Sequence, residues 1–136
     1  MFSLKYIISL LIFILSLHFV ATINHWYWIF PWFDIPMHFL GGFWVAMVFI
    51  TLNLKFAIKL PNYLITALMV LSFVALIGVF WEFYEFLYDV FISSRGYSGF
   101  LQLGAADMIG DLFFDLLGGS IFLIFYKLSS SYSKLK

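Results

Sequence analysis

The chain has 136 residues, no cysteine and a formal net charge of zero; 65% of it is hydrophobic and only 10% charged. Soluble domains carry about 25% charged residues, and a fold of this length has too little interior to hide so much apolar surface. A bilayer removes the difficulty, because lipid-facing positions stay apolar. The absence of cysteine excludes a disulfide framework, a thiolate metal site and a cysteine nucleophile, and no basic block marks a nucleic-acid partner. The expectation is one all-α domain over residues 1–136, a polytopic four-transmembrane-helix bundle.

Four apolar runs of about 20 residues or more are each long enough to span. The first extends from about Leu4 to Ile23. Lys5 at its start raises a signal peptide, but the run is long for such a segment and no small-residue cleavage site stands near Ala21, so a retained anchor is expected. The second extends from about Asp34 to Phe56, with Pro36 in its first turn and Asp34 as its N-cap. The third runs from about Pro61 to Val90, long enough to tilt or to project beyond the hydrocarbon. The fourth runs from about Gly104 to Lys127, and the polar tail from Ser129 onward is expected to fray.

Lys5, Lys55, Lys59, Lys127, Lys134 and Lys136 fall at the N-terminus, the second connection and the C-terminus, while Arg95 stands alone in the third connection. The positive-inside rule then places both termini in the cytoplasm, for a multi-pass protein of the cell (inner or plasma) membrane. Trp26, Trp28 and Trp32, in the first connection, suit an outer interfacial belt.

That topology gathers the acids. Asp34 and His38 open the second helix on the outer side, Glu82, Glu85 and Asp89 occupy the outward end of the third, and Asp107, Asp111 and Asp115 follow one another into the fourth. His18, near the outer end of the first helix, is placed to join them. Asp34 and His38 are four apart, as are Asp107 and Asp111, and Glu82 and Glu85 are three apart. Residues at these spacings are neighbours on a helix surface. Asp115 continues the row, drifting about 40° per step of four. Asp89, near the water boundary, reads as solvated surface.

An ionisable group at membrane depth costs from about 2.5 kcal/mol upward and normally faces a protein interior or a wet cavity. Several carboxylates together need bound protons or a cation, and Arg95 is the only Lys or Arg on their side. A divalent metal is the favoured reading, held by Asp34, His38, Glu82, Asp107 and Asp111, with Glu85 as general base and Gln102, Asp115, His18 and Arg95 as further pocket residues. Oxygen ligands with one imidazole suit Mg, Mn or Ca, with Zn or Fe reachable through His38. A di-iron bundle would carry two Glu-x-x-His motifs, and Glu82-Phe83-Tyr84-Glu85 lacks the histidine. Gly41, Gly42, Gly110, Gly118 and Gly119 read as sites of close helix approach. The loop from Ser93 to Gly99 reads as a connector, with a lid carrying Arg95 as the alternative.

Asp34-x3-His38-Phe39-x-Gly41, Glu82-x2-Glu85, Gln102-x4-Asp107-x3-Asp111 and Leu117-Gly118 form an ordered set from about Phe33 to Gly119. In it the chain resembles the YjdF-like family of bacterial inner-membrane proteins, with a looser likeness to VanZ-like membrane proteins through the Asp-x3-His opening and the late Asp-to-Gly run. The resemblance implies a membrane protein without an assigned activity and brings Gln102 into the site. The chain departs from the pattern by having Gly104 where the family tends to have an acid and by carrying Asp115, and family members tend to be longer, with extra helices ahead of the Asp-His motif.

Three functions compete. One is a metal-dependent membrane hydrolase or transferase acting on a lipid or lipid-linked substrate from the outer leaflet. The second is a small proton- or cation-coupled transporter or channel component, against which stands the near absence of ionisable groups in the inner halves of the helices. The third is a non-enzymatic scaffold whose acids hydrogen-bond between helices. The sequence leaves oligomeric state open.

Overall fold

The computed structural model of the chain describes residues 3–58 and 60–133, with side chains through residue 129. Lys59, Lys134 and Lys136, part of the charge asymmetry above, lie outside the described residues.

Five α-helices follow one another: α1 (Leu4–Ile23), α2 (Trp26–Ile29), α3 (Asp34–Lys55), α4 (Tyr63–Phe91) and α5 (Ala105–Ser133). All but α2 are long and apolar enough to cross a membrane. A helix rises about 1.5 Å per residue, so the 20 residues of α1 match a hydrocarbon core of about 30 Å. The 29 residues of α4 and of α5 exceed it, long enough to tilt or to project. The fold is the expected all-α four-span bundle.

The boundaries follow local chemistry. Asn62 caps α4 by accepting the Ile65 N–H at 2.9 Å, so the helix begins just after Pro61 rather than on it. Asp34 is not the N-cap of α3. A 3-10 turn over Pro31–Phe33 runs straight into the helix, leaving Phe33 in the cap position and Asp34 with helical φ/ψ of −64° and −40°. α5 extends past the expected end near Lys127 to Ser133; extending a formed helix adds one hydrogen bond per residue fixed, without a new nucleation cost. Between α1 and α3 the chain reverses at His25, a non-glycine residue in the left-handed region (φ 57°), and forms the short α2.

The spans alternate in direction, so α3 and α5 run parallel to each other and both begin at the end of the bundle where α1 and α4 finish. They are the most closely packed pair. Glycine makes this possible: a Cβ at Gly42 would lie 1.9 Å from the Asp115 carbonyl oxygen, and one at Gly118 would lie 2.0 Å from that of Phe39. Gly110, in contrast, meets nothing within 4 Å, so the close-approach reading fails there. α4 packs on both α3 and α5, and Val45, Ala46, Ile50, Val70, Val74 and Phe122 fill the core among the three. α1 leans on α3, with only Ile7 and Ala21 buried. The Trp44 indole N–H, donating to the Ile7 carbonyl at 2.8 Å, ties the two together.

A candidate acid–histidine centre

Because α3 and α5 start together, their early acids lie at the same depth: Asp34 and His38 on one, Asp111 and Asp115 on the other. The N-terminal ends of helices favour negative charge. α4 ends beside them and adds Glu82 and Glu85, although a helix C-terminus disfavours carboxylates. All six residues are buried, none more than 6% exposed.

His38 is the hub. Its Nε2 lies 3.5 Å from Asp34 Oδ1 and 3.9 Å from Asp111 Oδ1, and its Nδ1 lies 3.5 Å from Asp115 Oδ1. These distances are too long for strong hydrogen bonds. Asp34, His38 and Asp111 offer ligand atoms within 4.8 Å of one another, and so do His38, Glu82 and Glu85. Among the described residues, six buried side-chain atoms have no hydrogen-bond partner, and five belong here: His38 Nε2, Glu82 Oε1, Glu85 Oε2, Asp111 Oδ2 and Asp115 Oδ2. Orphaned polar atoms at such density are rare in folded proteins.

Each glutamate is held by its other oxygen. Gln102 Nε2 donates to Glu82 Oε2 at 3.0 Å, and Trp81 Nε1 donates to Glu85 Oε1 at 2.9 Å. Gln102 is placed in turn by Asp89. That carboxylate accepts the backbone N–H of Leu101 at 2.9 Å and of Gln102 at 3.0 Å, and the Ser93 hydroxyl at 2.8 Å. Asp89 is therefore a buried clasp on the α4–α5 connection, not solvated surface. Its hydroxyl partner, four residues on in the 3-10 turn Ser93–Arg95, brings the loop back over the helix end.

The remaining site expectations divide. Asp107 is half-buried, and its Oδ2 accepts the Leu103 N–H at 2.8 Å, so it anchors the start of α5 beside the cluster and stands outside both three-residue groups. Arg95 is exposed and does not line the adjoining cavity. His18 does line it, together with Asp34, His38 and Asp115. His18 Nδ1 is 2.7 Å from the Tyr27 hydroxyl, and its ring meets Trp81 edge-on at 5.2 Å. Burial first, then the nearby Asp34, Glu85 and Tyr84, pushes the Tyr27 phenol up.

Sequence reasoning missed Trp81, Tyr27, the role of Asp89, and Gly78, where a Cβ would lie 2.4 Å from Asp115 Oδ2. The spacing Trp81-x3-Glu85 and Asp89-x3-Ser93 could have signalled two of these as same-face pairs. Nothing in the sequence marks Gly78, whose need for bare backbone arises from a neighbour on α5.

A polytopic all-α membrane protein with a buried acid–histidine centre is thus the class defined by fold and site. A protein-family model described as "Predicted membrane protein (DUF2238)" matches residues 1–131, and the chain belongs to that family. The YjdF-like resemblance is consistent with this assignment, while the VanZ-like likeness is not confirmed by it. No curated protein and no solved structure matches the chain.

Proposed function

We propose that the centre binds one divalent metal ion and that the protein is a metal-dependent hydrolase or transferase working on a lipid or lipid-linked substrate. The observation that carries this reading is the set of five orphaned buried atoms around His38. Ligand atoms bound about 2.0–2.2 Å from one ion stand roughly 3 to 3.5 Å apart. The 3.5 Å between His38 Nε2 and Asp34 Oδ1 has this value, and the 3.9 Å to Asp111 Oδ1 needs only a small closure. Asp34, His38 and Asp111 would hold the ion, with Glu82 able to close on it. The oxygen-rich set suits Mg, Mn or Ca, and the imidazole extends it to Zn.

A bound ion would supply Lewis-acid polarisation of a carbonyl or phosphoryl oxygen. The protein's part is positional. Trp81 fixes one oxygen of Glu85 and leaves Oε2 free to accept a proton, which suits a general base, and Gln102 orients Glu82. The cell membrane with both termini cytoplasmic remains our assignment, with Lys5, Lys55 and Lys127 at the inner end and Arg95 at the outer.

Metal analysis of purified protein in mild detergent tests the reading. Wild type is expected to retain about one equivalent of metal. Glu82→Ala/Asp111→Ala is expected to lose it, and Glu85→Gln is expected to keep it. Metal-free wild type after dialysis against each candidate ion would overturn the reading. It would favour the competing view that shared protons neutralise the acids, for which the position of His38 among three aspartates speaks.

A further inference from the structure

Beside the centre lies a cavity of about 130 Å³. One wall is α1, through Leu11, Ile14 and Leu15; the opposite wall is α4, through Val74 and Ile77; α3 forms the back. An engineered apolar cavity of about 150 Å³ stays dry and takes up benzene. This volume therefore admits a short stretch of hydrocarbon rather than a folded headgroup.

The mouth is on the α1 side. Leu15 lines the cavity and is still 48% exposed, whereas Val74 and Val45 on the far walls are 1% and 7% exposed. Since α1 is a membrane span by length and composition, the medium at Leu15 is acyl chain. α1 also has no packing on α4 comparable to the joints among α3, α4 and α5, so the opening lies along a loosely packed joint. His18, Tyr27 and Trp81 close the end nearest the acids, and His38 and Asp115 meet the cavity there. The hollow thus leads from hydrocarbon to a polar terminus.

We infer that this cavity is a lateral site for a short segment of one acyl chain of a bilayer glycerophospholipid, seated between α1 and α4 with its ester end toward His18 and Tyr27. The inference deepens the reading of a lipid-directed centre by naming the part of the substrate that is gripped. Seating of the chain itself needs no metal.

The test uses the full chain in phosphatidylglycerol nanodiscs doped with a glycerophospholipid carrying a mid-chain diazirine. After irradiation, adducts are mapped by mass spectrometry. Adducts are expected on cavity residues such as Ile14, Val74 and Ile77, reduced about tenfold, the equivalent of about 1.4 kcal/mol, in Leu15→Trp. Ile12→Trp, on the exposed face of α1 outside the cavity, is expected to leave them unchanged. Ile77→Trp repeats the measurement from the opposite wall, so a folding defect in one variant does not decide the result. Adducts confined to exposed positions such as Ile12 and Phe13, or cavity adducts insensitive to both fillings, would overturn the inference. Labelling is repeated after chelation. Cavity adducts that persist in protein shown to bind no metal would uphold the chain site while the metal reading fails.

Discussion

Asp89 shows how one side chain controls another that it does not touch. Its carboxylate takes three donors from the α4–α5 connection, and the backbone so fixed carries Gln102 to Glu82. A hydrogen bond to a charged group contributes about 1.5–3 kcal/mol, but the three share one carboxylate and will not add. Asp89→Ala is expected to destabilise the protein by about 2–4 kcal/mol, read as a lowered unfolding midpoint in detergent. Amide hydrogen exchange at Leu101 and Gln102 is expected to rise with it. Unchanged exchange at those two amides would show that the connection holds without its clasp. His38 works differently: it is surrounded by carboxylates at 3.5 to 3.9 Å and is the only group in the cluster able to carry positive charge.

At the scale of the element, the centre exists because α3 and α5 approach with almost no side chain between them. Gly42 faces the backbone of Asp115, and Gly118 faces that of Phe39. Neither atom lies at the end of a flexible chain, so an added methyl must push the helices apart. Gly42→Ala and Gly118→Ala are each expected to cost about 1–3 kcal/mol and to spread Asp34 and His38 from Asp111, which under the proposed metal reading weakens metal retention. Gly110→Ala meets open space and is expected to be neutral or to stabilise by up to about 1 kcal/mol, the helix-propensity difference. Thermal unfolding of the three variants side by side checks the contrast. Equal effects at all three positions would mean that the α3–α5 joint relaxes freely.

For the whole molecule, the charge asymmetry makes a directional prediction. The protein has no native cysteine, so single cysteines report sidedness without background. Ser94→Cys, exposed near Arg95, is expected to react with a membrane-impermeant maleimide in intact cells or right-side-out vesicles. Ser3→Cys, at the start of α1, is expected to react only after permeabilisation. The reverse pattern would invert the topology and place the acids toward the cytoplasm. Either way the acids remain at one end of the bundle, because that follows from the alternation of the spans.

The sequence by itself determined the four spans and the end of the bundle to which the acids belong. Both follow from quantities that add along the chain: apolar length against bilayer thickness, and parity of crossing. It also brought out Asp34, His38, Glu82, Glu85 and Asp111, because helical spacing is local. What only the tertiary structure decided is which of these face one another, and by what means. The bare backbone at Gly42 and Gly78, the inward turn of Asp89 and the meeting of Asp34, His38 and Asp111 all depend on the rotation of each helix about its axis. Contacts between distant segments set that rotation, and no periodicity within a single apolar helix encodes it.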